Sequence, residues 1–105
     1  MTDAVKRGNL LLEALENALQ DSGLWGSETP SASALASQQP FACDTLALEQ
    51  WLQFIFLPRM QSLLATPEIS VPVMAIKPVA EIVWGSRYAE VQRILGELDS
   101  WSEQA

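Results

Sequence analysis

Five polar residues occupy positions where a polar side chain needs a partner: Asp44, Glu49, Gln53, Arg59 and Glu81. Glu49 and Gln53 are four residues apart, so they share one face of a helix. Arg59 follows in the same apolar segment, and the carboxylates of Asp44 and Glu81 are its candidate counter-charges. Because a buried polar group must find hydrogen-bond partners, these residues predict either an internal ion-pair cluster or a polar binding site.

This polar cluster has three interpretations, which the residues alone leave open. In the first, which we favour, Arg59 pairs with Glu81 or Asp44, bonds loop carbonyls and locks a crossing segment of the chain in register. In the second, Gln53, Arg59 and Glu81 bind an acidic or polar ligand in a small groove. In the third, the same residues form a patch that faces a protein partner.

The absence of histidine excludes several chemistries. Without imidazole the chain has neither a Ser-His-Asp nor a Cys-His arrangement, and it lacks the commonest ligand of transition metals. Its single cysteine, Cys43, cannot form an internal disulfide and supplies too few ligands for a structural zinc site. The carboxylates show no spacing typical of a catalytic pair. We therefore predict that the protein is not an enzyme and holds no metal or cofactor.

The segment 45–65 is the most apolar part of the chain. At about 100° per residue, large apolar side chains fall on opposite sides of a helix, with Trp51 on one side and Leu52 on the other. Such a helix is either a membrane span or a helix enclosed by its neighbours. Charge-free residues run only from 50 to 58 before Arg59, well short of the roughly 20 that a bilayer needs. The segment is therefore predicted to be the central helix of a small soluble bundle.

Pro58 interrupts this central helix. Its ring lacks an N–H and clashes with the carbonyl of Phe54, so we expect a kink at Pro58 or a break at which Pro58 begins a second segment. The simpler interpretation is that a kink lets one long helix follow a curved core. The alternative is a distortion that binds a ligand, in a concave pocket lined by Trp51, Phe54 or Trp84 with Arg59 at its mouth.

Three further helices are predicted around the central one. The four predicted helices are 3–22, 45–65, 78–84 and 86–102. Gly23 and Gly85 end the first and third helices, Pro78 lies in the first turn of the third, and Ser86 caps the fourth. The fold class is therefore all-α, an antiparallel four-helix bundle in a single domain over 3–102.

Two connections of unusual composition join these helices. The segment 24–39 is predicted to be a loop that wraps the core and contains one or two helical turns. Its Trp25 either packs on the bundle or is exposed as an anchor for a partner. The segment 69–76 is predicted to be an extended crossing, because Pro72 lacks the N–H that a strand would need. This crossing is expected to pack Val71, Val73 and Ile76 onto the bundle.

Several short motifs resemble the signature of the YqcC-like family, small bacterial proteins. The matching residues are Gln39-Pro40-Phe41, Asp44-Thr45, Glu49, Trp51-Leu52-Gln53 and Pro58-Arg59-Met60. Pro78 with Glu81 is similar to the opening of that family's third helix. The resemblance implies an all-α bundle in the bacterial cytoplasm, often encoded beside a tRNA pseudouridine synthase of the TruC type. It implies no activity.

The net charge limits the partners that the protein can attract. Thirteen acidic residues oppose six scattered basic ones, which gives a net charge of −7. Because nucleic-acid binding requires clustered positive charge, direct binding to RNA or DNA is not expected. A basic surface on a partner protein is electrostatically easier to bind. No signal peptide or membrane span is apparent, so we expect a cytoplasmic protein.

These observations favour an accessory or protein-interaction module as the function. The gene neighbourhood that the family resemblance implies connects such a module with tRNA modification and with a tRNA-modifying enzyme as its partner. The alternative is a small-molecule-binding protein with its pocket near Pro58. The sequence does not distinguish a monomer from a homodimer.

Overall fold

Helices account for all of the regular structure in the described part of the chain. A computed structural model describes residues 3–37, 46–66 and 71–104, and none of these residues belongs to a strand. The elements are α1 (Asp3–Asp21), α2 (Ala32–Leu35), α3 (Leu48–Trp51), a π-helical segment (Leu52–Phe56), α4 (Leu57–Leu64), α5 (Lys77–Trp84) and α6 (Ala89–Gln104). The all-α prediction is therefore confirmed. None of the described helices combines the length and the apolar character that crossing a bilayer requires.

The contact between α1 and α6 builds one side of the core. Leu12, Leu15 and Leu19 recur at helical spacing on α1 and are buried against its neighbours. At Gly8 a Cβ atom would lie 2.8 Å from Cη2 of Trp101, so only glycine leaves room for the indole. The Trp101 Nε1–H donates to the carbonyl of Ala4 over 2.9 Å. The first turns of α1 and the last turns of α6 are thus held together by shape and by a hydrogen bond.

The central helical run comprises α3, the π-helical segment and α4 in direct succession. The N–H of Leu57 bonds the carbonyl of Leu52, five residues back, which is the spacing of a π turn. A π turn widens the helix next to Pro58, whose ring would clash with the preceding turn of a regular α-helix. Leu52 and Leu57 are 0% and 2% exposed. The irregularity therefore places two leucines that are five residues apart in the same core.

The π turn also determines on which side of the central helix Arg59 lies. One extra residue in a turn rotates everything that follows by about 100°. In an uninterrupted α-helix Arg59 would lie on the side of Leu52 and Phe56, facing the core. With the π turn, Leu57 and Met60 face inward instead, and Arg59 is exposed. Arg59 therefore lies on the surface of the central run and not in an internal ion-pair cluster of the described residues.

Several predicted boundaries and contacts differ from those in the structure. The central run begins at Leu48 rather than at 45, because Leu46 and Ala47 precede the helix. The last helix begins at Ala89 rather than at Ser86, so Ser86 does not cap it. Gly85, with φ 64°, does end α5 as predicted.

The crossing segment before α5 has no regular secondary structure over 71–76, and Ile76 at its end has helical dihedral angles, with φ −87° and ψ −35°. Ile76 is buried, and Val71 and Met74 pack against the core. Val73 is 71% exposed, so the prediction that Val73 packs on the bundle was wrong. The loop after α1 contains one helical turn, α2, which Ser31 caps by accepting from the N–H of Ala34.

Candidate functional site

The structure separates the predicted polar cluster into residues with different surroundings. Gln53 is buried, Glu49 is half-buried, and Arg59 and Glu81 are exposed. Asp44 lies outside the described residues. Within the described ranges no ion pair joins Arg59 to Glu81. The predicted pairing of these two residues is therefore not part of the described structure.

Gln53 tethers the loop after α1 to the central helical run. Its Oε1 accepts from the N–H of Gly26 over 2.8 Å, and its Nε2 donates to the carbonyl of Gly26 over 2.8 Å. Both ends of the side-chain amide are thus used by one backbone residue, and the side chain is 8% exposed. Because both ends of this buried amide have hydrogen-bond partners, the burial of Gln53 is explained by its structural role and requires no ligand.

The crossing segment is held by α6 and not by Arg59. Asp99 accepts from the N–H of Ile76 with Oδ1 and from the N–H of Lys77 with Oδ2, each over 2.9 Å. Ser102 Oγ accepts from the N–H of Met74 over 2.9 Å. A carboxylate at the N-terminus of α5 also interacts favourably with the dipole of that helix. These two residues perform the role that the sequence had suggested for Arg59.

Gln92 holds the turn between α5 and α6 by hydrogen bonds to its backbone. Its Nε2 donates to the carbonyls of Gly85 and Arg87 over 2.9 and 2.7 Å. Four residues follow one another along α6 at intervals of three or four: Gln92, Leu95, Asp99 and Ser102. They therefore form one stripe of the helix, and Leu95 within it is buried. That spacing was the signal in the sequence that could have identified them as core-facing polar residues.

Arg59 lies where two open grooves meet. The larger groove, of about 760 Å³, is also lined by Phe54, Pro58 and Leu63. The smaller groove, of about 330 Å³, is also lined by Trp51 and by residues 73–76 of the crossing segment. We call the two grooves together the Arg59 surface. Trp51 and Phe54 thus both lie near Arg59, but each lines a different groove and not one concave pocket.

Trp84 belongs to a different part of the molecule. It is buried, and its ring contacts the edge of Tyr88 with 5.3 Å between the centroids. It is not among the residues that line the grooves of the Arg59 surface. The indole of Trp84 therefore packs in the core, and only Trp51 and Phe54 of the three predicted aromatic residues line these grooves.

The other arginines of the described chain have partners. Arg7 pairs with Glu97 over 3.3 Å, and Arg93 pairs with Glu90 over 2.7 Å and also with Glu97. Hydrogen bonding by Arg93 lowers the pKa of Glu90 below its ordinary value, and Glu90 in turn raises the pKa of Arg93. By contrast, Arg59 has no hydrogen bond or ion pair with any residue that the structure describes.

Arg87 is also partnered, in a different way. Its Nε donates to the carbonyl of Trp84 over 3.3 Å, and its guanidinium lies 5.6 Å from the centre of the Tyr88 ring. That distance is typical of a cation–π contact. Among the arginines of the described ranges, Arg59 is therefore the one whose guanidinium has no ion pair, hydrogen bond or cation–π contact with a described residue.

A further groove lies between α5 and α6 and contains Glu81. About 680 Å³ in volume, it is lined by charged residues of both signs. These residues are Arg7, Lys77, Arg93, Glu81, Glu97 and Asp99. Three cations face three carboxylates, so the groove has no net charge to attract an ion of either sign. Within the described ranges no group of three acidic or cysteine side chains could hold a metal ion.

Comparison with known proteins shows relatives over almost the whole chain. An uncharacterised protein of Haemophilus influenzae is 37% identical over 92 residues, which are 88% of this chain and 86% of that protein. The protein YqcC of Escherichia coli is 32% identical over 93 residues, which are 89% of this chain and 85% of YqcC. The solution NMR structure of E. coli YqcC matches with a TM-score of 0.85 and 29% identity, covering 99% of this chain and 92% of that one.

A third relative is a much longer protein. The tRNA pseudouridine synthase C of Pectobacterium carotovorum is 43% identical over 58 residues, which are 55% of this chain and 15% of that protein. The family model DUF446, described as tRNA pseudouridine synthase C, matches residues 8–103. With this match over most of the chain, the chain belongs to the DUF446 family, and it is similar to YqcC over most of the length of both proteins.

Proposed function

We propose that this protein is a non-catalytic accessory module that docks on a tRNA pseudouridine synthase in the bacterial cytoplasm. The observation that carries the proposal is the match to a short part of a longer protein with that enzyme's name. A segment that is joined to another domain is held at high effective concentration beside it. A separate chain of the same kind needs a binding surface to achieve the same proximity.

The fold provides a suitable scaffold for such a module. We infer that α1, the central helical run, α5 and α6 form an antiparallel four-helix bundle, with a kink in the run near Pro58. The contacts of α1 with α4 and α6, and of α5 with α6, support the bundle, and the π turn beside Pro58 supports the kink. A bundle held by such contacts presents side chains on rigid helices.

The charge of the chain favours a protein partner over direct contact with RNA. A net charge of −7 repels phosphate groups but attracts the basic surface that an RNA-binding enzyme presents. Exposed apolar side chains such as Val73 supply the apolar component that a docking surface requires. The protein therefore contributes binding, and the partner contributes catalysis.

A binding experiment with purified proteins tests this function. The chain is mixed with the tRNA pseudouridine synthase C of its own organism, and the complex is measured by size-exclusion chromatography with light scattering and by calorimetry. We expect a complex of defined stoichiometry that weakens as salt is raised, because its charges are complementary. Separate elution of the two proteins at tens of micromolar would overturn the proposal.

A second function, the binding of a small molecule, is favoured by the larger groove of the Arg59 surface. Its volume of about 760 Å³ lies within the range of roughly 300–1,000 Å³ that is typical of ligand pockets. Arg59 would bind a carboxylate or phosphate of the ligand. A screen of anionic metabolites by thermal shift, repeated with Arg59→Ala, tests this alternative. We expect stabilisation only of the wild type if the ligand exists.

A further inference from the structure

We propose that the Arg59 surface is the docking site and that it binds a protein segment in which one carboxylate is flanked by apolar side chains. This inference rests on the proposed function, because it names the surface and the chemistry by which the partner is held. Three observations support it: the way in which the helix presents Arg59, the lack of an internal partner for its charge, and the grooves beside it.

The π turn is the first observation. It rotates Arg59 out of the core and brings Leu57 in, so the helix exposes a cation at a point where an uninterrupted α-helix would have buried it. π turns within α-helices occur frequently at functional sites. The backbone of the central run is thus adapted to present Arg59 to solvent, and Pro58 beside it is exposed as well.

The charge of Arg59 is the second observation. The protein has more than twice as many acidic as basic residues, yet no described carboxylate pairs with Arg59, whereas Arg7 pairs with one and Arg93 with two. An unpaired guanidinium between apolar walls can form a bidentate ion pair with an incoming carboxylate, partly shielded from water. At this one cationic point of an acidic protein, charge complementarity therefore favours an acidic residue at the centre of the bound segment, while the acidic surface elsewhere faces basic groups of the partner.

The grooves are the third observation. They share Ile55, Arg59, Met60 and Pro72, and each continues away from Arg59 with mainly apolar walls. A small molecule would fill one groove, whereas a segment of several residues can occupy both while its central carboxylate contacts Arg59. Val73, which is 71% exposed, borders the smaller groove and offers apolar area to the segment. The occupant that fits is therefore a stretch of protein chain.

The test compares two pairs of variants in the binding assay with the tRNA pseudouridine synthase. Arg59→Glu is paired with Lys6→Glu, which makes the same change in net charge at an exposed position outside both grooves. Val73→Ser is paired with Ile82→Ser, which removes an even more exposed apolar side chain, 84% exposed, from α5. Circular dichroism melting of each variant confirms that it is folded.

We expect Arg59→Glu to weaken binding at least about tenfold, because arginine is enriched among the residues that dominate interfaces. Val73→Ser should weaken it severalfold, and both controls should stay within about twofold of the wild type. A charge-reversal substitution of an acidic residue in the synthase that restores binding to Arg59→Glu would identify the carboxylate.

Other outcomes separate the inference from the function on which it rests. Absence of wild-type binding overturns both. Wild-type binding that Arg59→Glu and Lys6→Glu weaken equally, or that neither weakens, overturns the docking site and leaves the accessory function intact. If Arg59→Glu instead dissociates a homodimer, the occupant is a second copy and the inference is wrong. The inference is also wrong if octanoate, used as a small carboxylate, shifts the Arg59 side-chain resonances without displacing the synthase, because the occupant is then a small carboxylate.

Discussion

The polar residues of α6 and Arg59 of the central helical run have opposite surroundings. Along α6, the side chains of Gln92, Asp99 and Ser102 each bond backbone groups of the neighbouring segments. On the central helical run, Arg59 is exposed between two grooves and bonds no residue in the described ranges. One surface uses polar groups to close the structure, and the other leaves a charge available to a partner.

The difference shows how a polar residue in an apolar helix can be interpreted. The polar side chains of α6 are largely buried and form hydrogen bonds with backbone N–H or C=O groups that would otherwise lack partners. Their removal should therefore destabilise the fold. Arg59 forms no hydrogen bond or ion pair in the described structure. Its removal should therefore leave the free energy of unfolding unchanged and affect binding alone. The comparison therefore predicts opposite results for a substitution of Arg59 and for substitutions of the bonded polar residues of α6.

The largest effect on stability is expected from Asp99→Ala. The substitution removes the acceptor for the N–H groups of Ile76 and Lys77, and we expect the free energy of unfolding to fall by about 2 kcal/mol. Urea denaturation measures the change. Ser100→Ala, at an exposed position of the same helix, is the control and should change stability by less than about 0.5 kcal/mol. Equal results for the two variants would contradict the role given to Asp99.

Gln53→Ala should have a somewhat smaller effect, of about 1–2 kcal/mol, because it removes two neutral hydrogen bonds to Gly26. Hydrogen exchange gives a local measurement, since the Gly26 amide should lose protection while the amides of α6 keep theirs. Gln61→Ala, an exposed residue of α4, is the control. Loss of partner binding without loss of stability would instead return Gln53 to the binding site.

Much of the fold could be predicted because it follows from local patterns. The leucine spacing of α1, the glycine at the end of α5 and the proline in the first turn of α5 each determine local structure directly. Boundaries were less predictable. Tyr88 precedes α6 with φ 57°, an uncommon angle for a residue other than glycine, and no pattern in the sequence indicated it.

The candidate site was predictable only in part, for a physical reason. Pro58 indicated that the central helix would be irregular, but the sequence did not show that the irregularity adds one residue to a turn. A rotation of about 100° exchanges an inward residue for an outward one, so the favoured interpretation gave Arg59 an internal ion pair that the described structure does not contain. Asp99 and Ser102 could have been found, because they lie on the same stripe of α6 as Leu95.

A smaller effect concerns the exposed ion pair of α6. Arg93 lowers the pKa of Glu90, so the pair contributes stability above the ordinary pKa of glutamate, and that contribution is lost as the pH falls through the lowered pKa. We expect a slight fall in melting temperature on acidification that is smaller in Arg93→Gln. NMR titration of the Glu90 carboxyl carbon should show its pKa rise in that variant. The difference should fade at 1 M salt, where exposed charges are screened.

The smallest effect on stability is expected from Arg59→Ala, and it is the most informative. An exposed residue without internal bonds should change the free energy of unfolding by less than about 0.5 kcal/mol, measured by urea denaturation beside Asp99→Ala. A loss as large as that of Asp99→Ala would mean that Arg59 is structural, with a partner outside the described ranges, and Asp44 is the candidate. A double-mutant cycle of Arg59→Ala with Asp44→Ala would then measure their coupling. Unchanged stability together with weakened binding would instead establish that the two surfaces have different purposes.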